Sequence, residues 1–318
     1  MNSSTLDARD KSRIETTSTA SALMANEAQL SGKPPKGYWH NVGDKLRHDW
    51  VALTTMTILG LILLAATFAP WITPHDPYQA SMLDRLTPPA WASQGTAEYL
   101  LGTDELGRDI LTRLIYGARV TLLMSISPVL MALMIGGTLG LIAGYAGGKI
   151  NMCIMRLTDV FYAFPSILLA VAISGAMGAG IVNGVFSLTL IFIPPLARIT
   201  ESVTTKIRNE DYVQAARATG ASTLTIIRVH VLGNVLGSVL VYASSLLSVS
   251  IVIASGLSFL GLGVSPPIAD WGLMLNALRE SIYVAPINAA LPGVIIFITC
   301  MSFNLLSDSL RSAMDVRL

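Results

Sequence analysis

Apolar residues occur along this chain in six long runs, which are separated by segments rich in charged residues, Pro and Gly. Each run approaches the roughly 20 residues that a helix needs to cross the apolar core of a bilayer. We therefore predict an all-α, polytopic integral membrane protein with about six transmembrane helices. The expected spans are residues 51–69, 120–143, 154–176, 180–196, 231–253 and 287–306.

The composition agrees with a lipid environment, since 52% of the residues are hydrophobic and only 13% are charged. The net charge of +1 and the lack of a basic block interleaved with aromatic residues exclude a nucleic-acid partner. Cys153 and Cys300 lie in or beside apolar runs, so they indicate neither a disulfide framework nor a metal site.

The polar segments define the expected organisation of the chain. We predict a disordered polar tail (1–50), a first transmembrane helix (51–70), an outer segment (71–116), a domain of five helices (117–309) and a C-terminal tail (310–318). If the N-terminal tail is cytoplasmic, that side holds 16 of the 21 Lys and Arg residues. This bias follows the positive-inside rule, so both termini are expected in the cytoplasm.

The longest internal connection on the cytoplasmic side covers residues 198–230. Its segment DYVQAARATGASTLTII, residues 211–227, predicts a short helix, a turn at Gly220 and a second helix capped by Ser222. Small side chains at Ala215 and Ala216 would let another protein come close, although helix propensity alone also explains them. From the pattern alone, an ordinary polar connector is an equal alternative to a docking element.

Residues 211–234 resemble the cytoplasmic loop of binding-protein-dependent ABC importer permeases. The motif of that family runs Glu-Ala-Ala, three residues, Gly, and then an apolar stretch that ends in Leu-Pro. Here Gln214 stands in place of the Glu and Gly233 in place of the Pro. The resemblance implies a loop that couples to an ATPase through Asp211, Gln214, Ala215, Ala216, Arg217, Gly220 and Ala221.

A second segment, LGTDELGRD at 101–109 with its continuation to residue 119, resembles the dipeptide, oligopeptide and nickel permease branch of that family. Segments 155–165, 257–263 and 309–318 match the same branch in the same order. The motif residues expected in the outer segment are Gly102, Thr103, Asp104, Gly107, Arg108, Asp109, Arg113, Gly117 and Arg119.

The resemblance implies a type I ABC importer permease fold and a non-catalytic subunit that forms half of a path for di- or oligopeptides across the inner membrane. Nickel, opines and glutathione are alternative solutes. The implied partners are a second homologous permease, two ATP-binding subunits, a soluble solute-binding protein and membrane lipid. ATP and Mg would be held by the ATP-binding subunits, so no cofactor or metal is expected on this chain.

Other patterns favour structural roles over chemistry. The segment from Gly144 to Lys149 lacks the spacing of a phosphate-binding loop, and the four histidines do not have the spacing of a metal-binding helix. A membrane-embedded enzyme is therefore disfavoured. The other disfavoured alternative is a signalling protein, in which the loop would bind a regulator instead of an ATPase. Gly residues at 136, 140 and 144 predict close helix packing. Arg156 and Asp159, three residues apart at the membrane edge, are expected to neutralise each other.

Overall fold

The computed structural model describes residues 38–314, and within this range the regular elements are helices, with one isolated β-bridge. Helix α1, Tyr38–His48, occupies part of the segment that was expected to be a disordered tail. That expectation is therefore wrong for residues 38–48. The rest of the tail, residues 1–37, and the last residues, 315–318, lie outside the described residues.

Long helices account for most of the remaining chain. Among the described residues, five continuous helical stretches are long and apolar enough to cross a membrane: Trp50–Thr67, Ile110–Ala146, Ile181–Arg208, Thr223–Phe259 and Pro286–Met314. The fourth of these contains a π-helical stretch, Ile227–Val231. The bounds are α2 Trp50–Thr67, α3 Ala69–Ile72, α4 Ile110–Ala146, α5 Gly148–Tyr162, α6 Ser166–Met177, α7 Ile181–Arg208, α8 Asp211–Ala218, α9 Thr223–Ile226, α10 Leu232–Phe259, α11 Trp271–Leu278 and α12 Pro286–Met314.

The third expected span is broken in the structure. Helices α5 and α6 together pass as one apolar span, but they meet at a bend of 83°. The break falls at Ala163, Phe164 and Pro165, the last of which precedes α6. Pro lacks a backbone N–H, and it also disfavours the helical conformation of the residue before it. The prediction of one continuous helix over 154–176 is thus corrected.

Several helices extend well beyond their apolar runs. Helix α4 begins at Ile110, ten residues before the expected span, because Asp109 caps it by accepting a hydrogen bond from Thr112 N. Helix α7 continues through Pro194 and Pro195 to Arg208. The boundaries that were expected for the five-helix domain, residues 117 and 309, fall inside α4 and α12.

The closest helix packing is between α4 and α7, and it depends on the glycines of α4. A Cβ added at Gly136 would lie 2.6 Å from the carbonyl oxygen of Ile193, and one at Gly140 would lie 2.3 Å from that of Ala197. Gly144 is equally close to the carbonyl oxygen of Glu201, at 2.7 Å. The prediction of close packing along this row is confirmed.

The main apolar core lies between α4, α6, α7 and α10, with Met124, Leu188, Leu196 and Leu257 among its buried members. Helix α12 packs against α10 and α2. A second, smaller cluster joins the start of α4 to α11 and to the first turns of α12. This cluster holds the 71–109 segment against the helices.

Candidate functional site

The loop between α7 and α10 has the helix–turn–helix form that its sequence predicts. After α8, the amide of Gly220 donates to the carbonyl of Arg217 at 3.0 Å, and the amide of Ala221 donates to that of Ala216 at 3.2 Å. This pair of bonds is the Schellman motif, which places its C′ residue in a left-handed conformation. Gly220 has φ +82°, and Ser222 caps α9 by accepting from Thr225 N.

Two buried side chains and two side-chain contacts hold the loop against the body of the helical domain. Val213 on α8 and Ile226 on α9 are almost completely buried in the main core. The guanidinium of Arg217 lies over the ring of Tyr145, 5.2 Å from its centroid, near the end of α4. The side-chain amide of Gln214 donates to the main-chain carbonyl of Arg208 at 3.2 Å. The loop is therefore packed against the ends of α4 and α7.

The other face of the loop is exposed. Ala215, Ala218 and Gly220 are exposed, and the apolar side chain of Leu224 is 75% exposed beside them. Among the predicted coupling residues, Asp211, Gln214, Ala215, Arg217 and Gly220 are exposed, whereas Ala216 and Ala221 pack against the core. The surface thus combines small side chains with the exposed apolar side chain of Leu224, a combination that suits contact with another protein.

The 101–109 motif forms a tight turn that leads into α4. Asp104 Oδ1 accepts from the amides of Leu106 and Arg108, at 2.9 and 3.0 Å, and Asp104 Oδ2 accepts from Arg108 Nε at 2.7 Å. Thr103 and Asp109 form an antiparallel bridge across the turn. The carboxylate of Asp104 therefore closes the turn from inside.

The two glycines of this motif are required by close backbone contacts. Gly107 has φ +72°, and an added Cβ would lie 1.7 Å from the carbonyl oxygen of Ser81. Gly102 has φ +78°, and its Cβ would lie 2.3 Å from the carbonyl oxygen of Thr87. Both positions allow the 71–100 segment to lie directly on the motif.

The remaining motif residues connect α4 to its neighbours. Arg113 Nη1 donates to the carbonyl of Pro77 at 2.9 Å. Arg119 donates to the carbonyls of Ala66 and Thr67 at the end of α2. A Cβ on Gly117 would lie 3.0 Å from the ring of Trp271. The arrangement thus assigns these motif residues a scaffolding role.

Two polar residues that the sequence analysis did not single out complete this scaffold. The side-chain amide of Asn288 donates to the carbonyls of Thr87 and Thr103, both at 2.9 Å. Asp270 caps α11 through Leu273 N and accepts from Thr121 Oγ1 at 2.8 Å. Burial raises the pKa of Asp270 above its usual range, although these hydrogen bonds act in the opposite direction. The Asp-Trp-Gly sequence before an apolar stretch was an available signal for the cap, but Asn288 had none.

The charge pair expected at the membrane edge has a third member. Arg156 Nη1 lies 3.9 Å from Asp159, as its spacing predicts, but the direct hydrogen bond to Asp159 comes from Arg198 on α7. The guanidinium of Arg198 also lies over the ring of Tyr162, 5.0 Å from its centroid. Asp159 therefore joins α5 to α7 besides neutralising its own helix.

Within residues 38–314 no group of three or more His, Cys, Asp and Glu residues is arranged to hold a metal ion. The expectation that this chain carries no cofactor stays a prediction.

Two family models match the chain. Residues 136–318 match the binding-protein-dependent transport system inner membrane component, and residues 37–89 match the N-terminal transmembrane domain of oligopeptide transport permease C.

Curated relatives extend the match over nearly the whole chain. The chain is 42% identical to the di/tripeptide transport system permease protein DppC of Pseudomonas aeruginosa, over 90% of this chain and 93% of that protein. It is 37% identical to the glutathione transport system permease protein GsiD of Pectobacterium atrosepticum, over 93% of this chain and 97% of that protein.

Among solved structures, the inward-facing MetNI methionine ABC transporter in its native crystal form gives a TM-score of 0.54 at 19% identity. The match covers 64% of this chain and 97% of that one. At this identity the likeness shows a shared fold, that of an ABC importer permease.

Proposed function

Because this chain belongs to the family of inner membrane components of binding-protein-dependent transport systems, we propose that it forms half of the translocation path of an ATP-driven importer for di- and oligopeptides. The observation that carries the choice of solute is the 42% identity, across 90% of the chain, with a di/tripeptide permease. The other half of the path would come from a second, homologous permease.

The exposed face of the α8–α9 loop is the proposed contact with an ATP-binding subunit, of which two would serve the importer. The loop is anchored by buried Val213 and Ile226, so a force applied to its outer face reaches α7 and α10 without being lost in a flexible connector. Each conformational state of the importer would then bind nucleotide with a different affinity, which is the thermodynamic requirement for coupling. ATP hydrolysis takes place on the partner subunits, and this chain performs no covalent chemistry.

The test uses the complete importer, purified in mild detergent from its native membrane. Ala215→Trp adds bulk to the exposed face of the loop without replacing a buried side chain, and Ala97→Trp is the matched change at an exposed Ala in the 71–109 segment. We expect Ala215→Trp to lower both the retention of the ATP-binding subunit and the uptake of radiolabelled dialanine, whereas Ala97→Trp retains the subunit. A chain that purifies alone, or an Ala215→Trp variant that retains the subunit, would contradict the proposed coupling.

Glutathione is the second candidate solute, because the chain is also 37% identical to a glutathione permease over 93% of its length. Both solutes are peptides, so a competition experiment distinguishes them. If excess glutathione abolishes dialanine uptake while excess dialanine fails to reduce glutathione uptake, the glutathione assignment is favoured.

The proposed orientation places the α8–α9 loop and both termini in the cytoplasm, as the distribution of Lys and Arg favours. A Leu224→Cys variant in which Cys153 and Cys300 are replaced by Ser tests it, since the side chain at 224 is 75% exposed. A membrane-impermeant maleimide should label this thiol in inverted vesicles and not in intact cells. The reverse result would invert the topology.

A further inference from the structure

A cavity of about 250 Å³ lies between the 101–113 segment and helix α11. One of its walls carries the charged side chains of Asp104, Glu105, Arg108 and Arg113, and the opposite wall includes Ala277 of α11. The scaffolding role of the motif explains why the chain turns here. It does not explain why two arginines line a cavity.

These two arginines are buried and only partly hydrogen-bonded. Arg108 is 8% exposed and Arg113 is 3% exposed. Among the described residues, their side-chain hydrogen bonds use Arg108 Nε and Arg113 Nη1. Arg113 Nε is buried without a hydrogen-bond partner, and its closest carboxylate oxygen, Asp104 Oδ2, is 3.5 Å away. Since a guanidinium carries further N–H donors, the cavity wall has unused capacity to bind an acceptor.

The wall carries two acids, Asp104 and Glu105, beside its two arginines. A single carboxylate, that of Asp104, contacts both guanidinium groups, and it also accepts two backbone amides. Glu105 is half-buried, and burial, followed by the nearby Asp104, raises the pKa of Glu105, while Arg108 and Arg113 oppose this shift. Asp104 is therefore shared between two guanidinium groups, so each of them keeps N–H donors that this carboxylate does not occupy.

We propose that this cavity binds a carboxylate group, with Arg108 and Arg113 as the donors. Guanidinium groups match the planar geometry of a carboxylate and bind it through paired N–H donors. The volume suits a short acid or the terminal residue of a longer one. The carboxylate comes either from a free solute or from an acidic side chain of a protein that docks on this face. The site does not depend on the coupling loop or on the identity of the transported solute.

The first experiment titrates the purified importer with sodium acetate against sodium chloride at constant ionic strength, with acetamide as the neutral analogue. Tryptophan fluorescence follows the midpoint of thermal unfolding. We expect acetate to raise the midpoint saturably by about 2 °C or more, because a ligand that binds only the folded state stabilises it. No saturable rise, or an equal rise with acetamide, overturns the proposal.

Three variants assign the effect to the cavity. Arg108→Gln should abolish the rise, whereas Arg279→Gln, at an arginine whose side chain is 56% exposed and which pairs with Glu280 outside the cavity, should retain it. Ala277→Phe fills the cavity without changing its charge, and it should also abolish the rise. This variant provides the test if Arg108→Gln fails to fold.

Glu105→Gln provides a test that misfolding cannot mimic. Removal of this acid from the wall should lower the acetate concentration that gives half of the effect, since a like charge opposes binding. If Glu105→Gln weakens acetate binding, or if Ala277→Phe leaves it unchanged, the cavity is not the site.

The source of the carboxylate is distinguished by dialanine and dialanine amide in the same assay. A rise with dialanine at lower concentration than with acetate, and none with the amide, identifies a free peptide as the source. A rise with acetate and none with dialanine excludes a free dipeptide as the source and favours an acidic side chain of a docked protein. In either case the proposal is tested by acetate binding alone. It would therefore remain valid if the importer were found not to transport peptides.

Discussion

The side-chain amide of Gln214 donates its hydrogen bond to the main-chain carbonyl of Arg208, the last residue of α7, at 3.2 Å. The final carbonyls of a helix have no partner within the helix, and they carry the negative end of its dipole. A donor at residue 214 is therefore well matched to this position, and an ionised carboxylate there would be both unable to donate and repelled. The replacement of Glu by Gln is thus consistent with the local structure.

Gln214→Glu should loosen the junction between α7 and α8. We expect the variant to lose about 1 kcal/mol of local stability, which is typical of one hydrogen bond. Hydrogen exchange at residues 209–214 of the intact importer measures this loss. Gln214→Ala, which lacks the donor but adds no charge, should show a smaller increase in exchange, and equal protection in all three proteins would contradict the prediction.

Gly220 should tolerate Ala poorly although it has ample space. No atom lies within 4 Å of a Cβ added at Gly220 or at Gly233, but only Gly220 has a positive φ. Gly220→Ala is expected to cost about 1–2 kcal/mol because an L-residue is strained in the left-handed region. Gly233→Ala, in the regular helix α10, should stabilise by up to about 1 kcal/mol.

The two variants are compared by hydrogen exchange of the loop and by ATPase activity of the importer. Increased exchange and reduced activity should appear only with Gly220→Ala. If both variants behave alike, the conformation of the turn is not the property that matters.

Gly140 should be far more sensitive to substitution than Gly137, one turn away on the same helix. A Cβ at Gly140 would meet the carbonyl oxygen of Ala197 at 2.3 Å, whereas one at Gly137 meets only a Leu133 methyl group, at 3.9 Å. Gly140→Ala must separate α4 from α7, and overpacking of this kind costs about 1–3 kcal/mol. Gly137→Ala should be neutral or stabilising. The midpoint of thermal unfolding is the measurement, and equal midpoints would show that the two helices are not in such close contact.

Asp270 should make the stability of the chain depend on pH. Burial raises its pKa in the folded state, so the folded chain retains this proton at pH values where the unfolded chain, with a pKa of about 3.9, has lost it. The stabilisation is fully present below the unfolded pKa, and it is lost as pH rises through the folded value.

Asp270→Asn should flatten this dependence, because Asn still caps a helix but does not titrate. The unfolding midpoint is measured in steps between about pH 4 and pH 7, above the unfolded value of the carboxyl. Asp76→Asn is the matched control, since the exposed Asp76 likewise accepts a backbone amide, from Tyr78 at 2.7 Å. An unchanged slope in Asp270→Asn would contradict the assignment.

The sequence predicted the structure well where a short local pattern determines it. Apolar runs located the membrane-crossing stretches, and Gly220 with Ser222 located the turn and the cap of the loop. The beginning of α4 was missed because its first turns contain Arg113 and Arg119, which lower the hydropathy although each donates to a backbone carbonyl.

Contacts between distant segments were not predictable from local pattern. Arg198 lies 39 residues from Asp159, and nothing near either residue indicates that α5 and α7 meet there. The break at Pro165 was also missed, because hydropathy continues across it while the backbone does not. Side-chain pairing and backbone direction both depend on the packed fold.

Asn288 has a consequence for the order in which the protein is completed. It donates to Thr87 and Thr103, which precede it by 201 and 185 residues. Synthesis proceeds from the N-terminus, so both carbonyls are made well before their donor exists. The segment ahead of α4 therefore reaches its final form only after α12, which carries Asn288, has been made and has packed beside it. Closure of this segment thus comes after synthesis of every helix from α4 to α12.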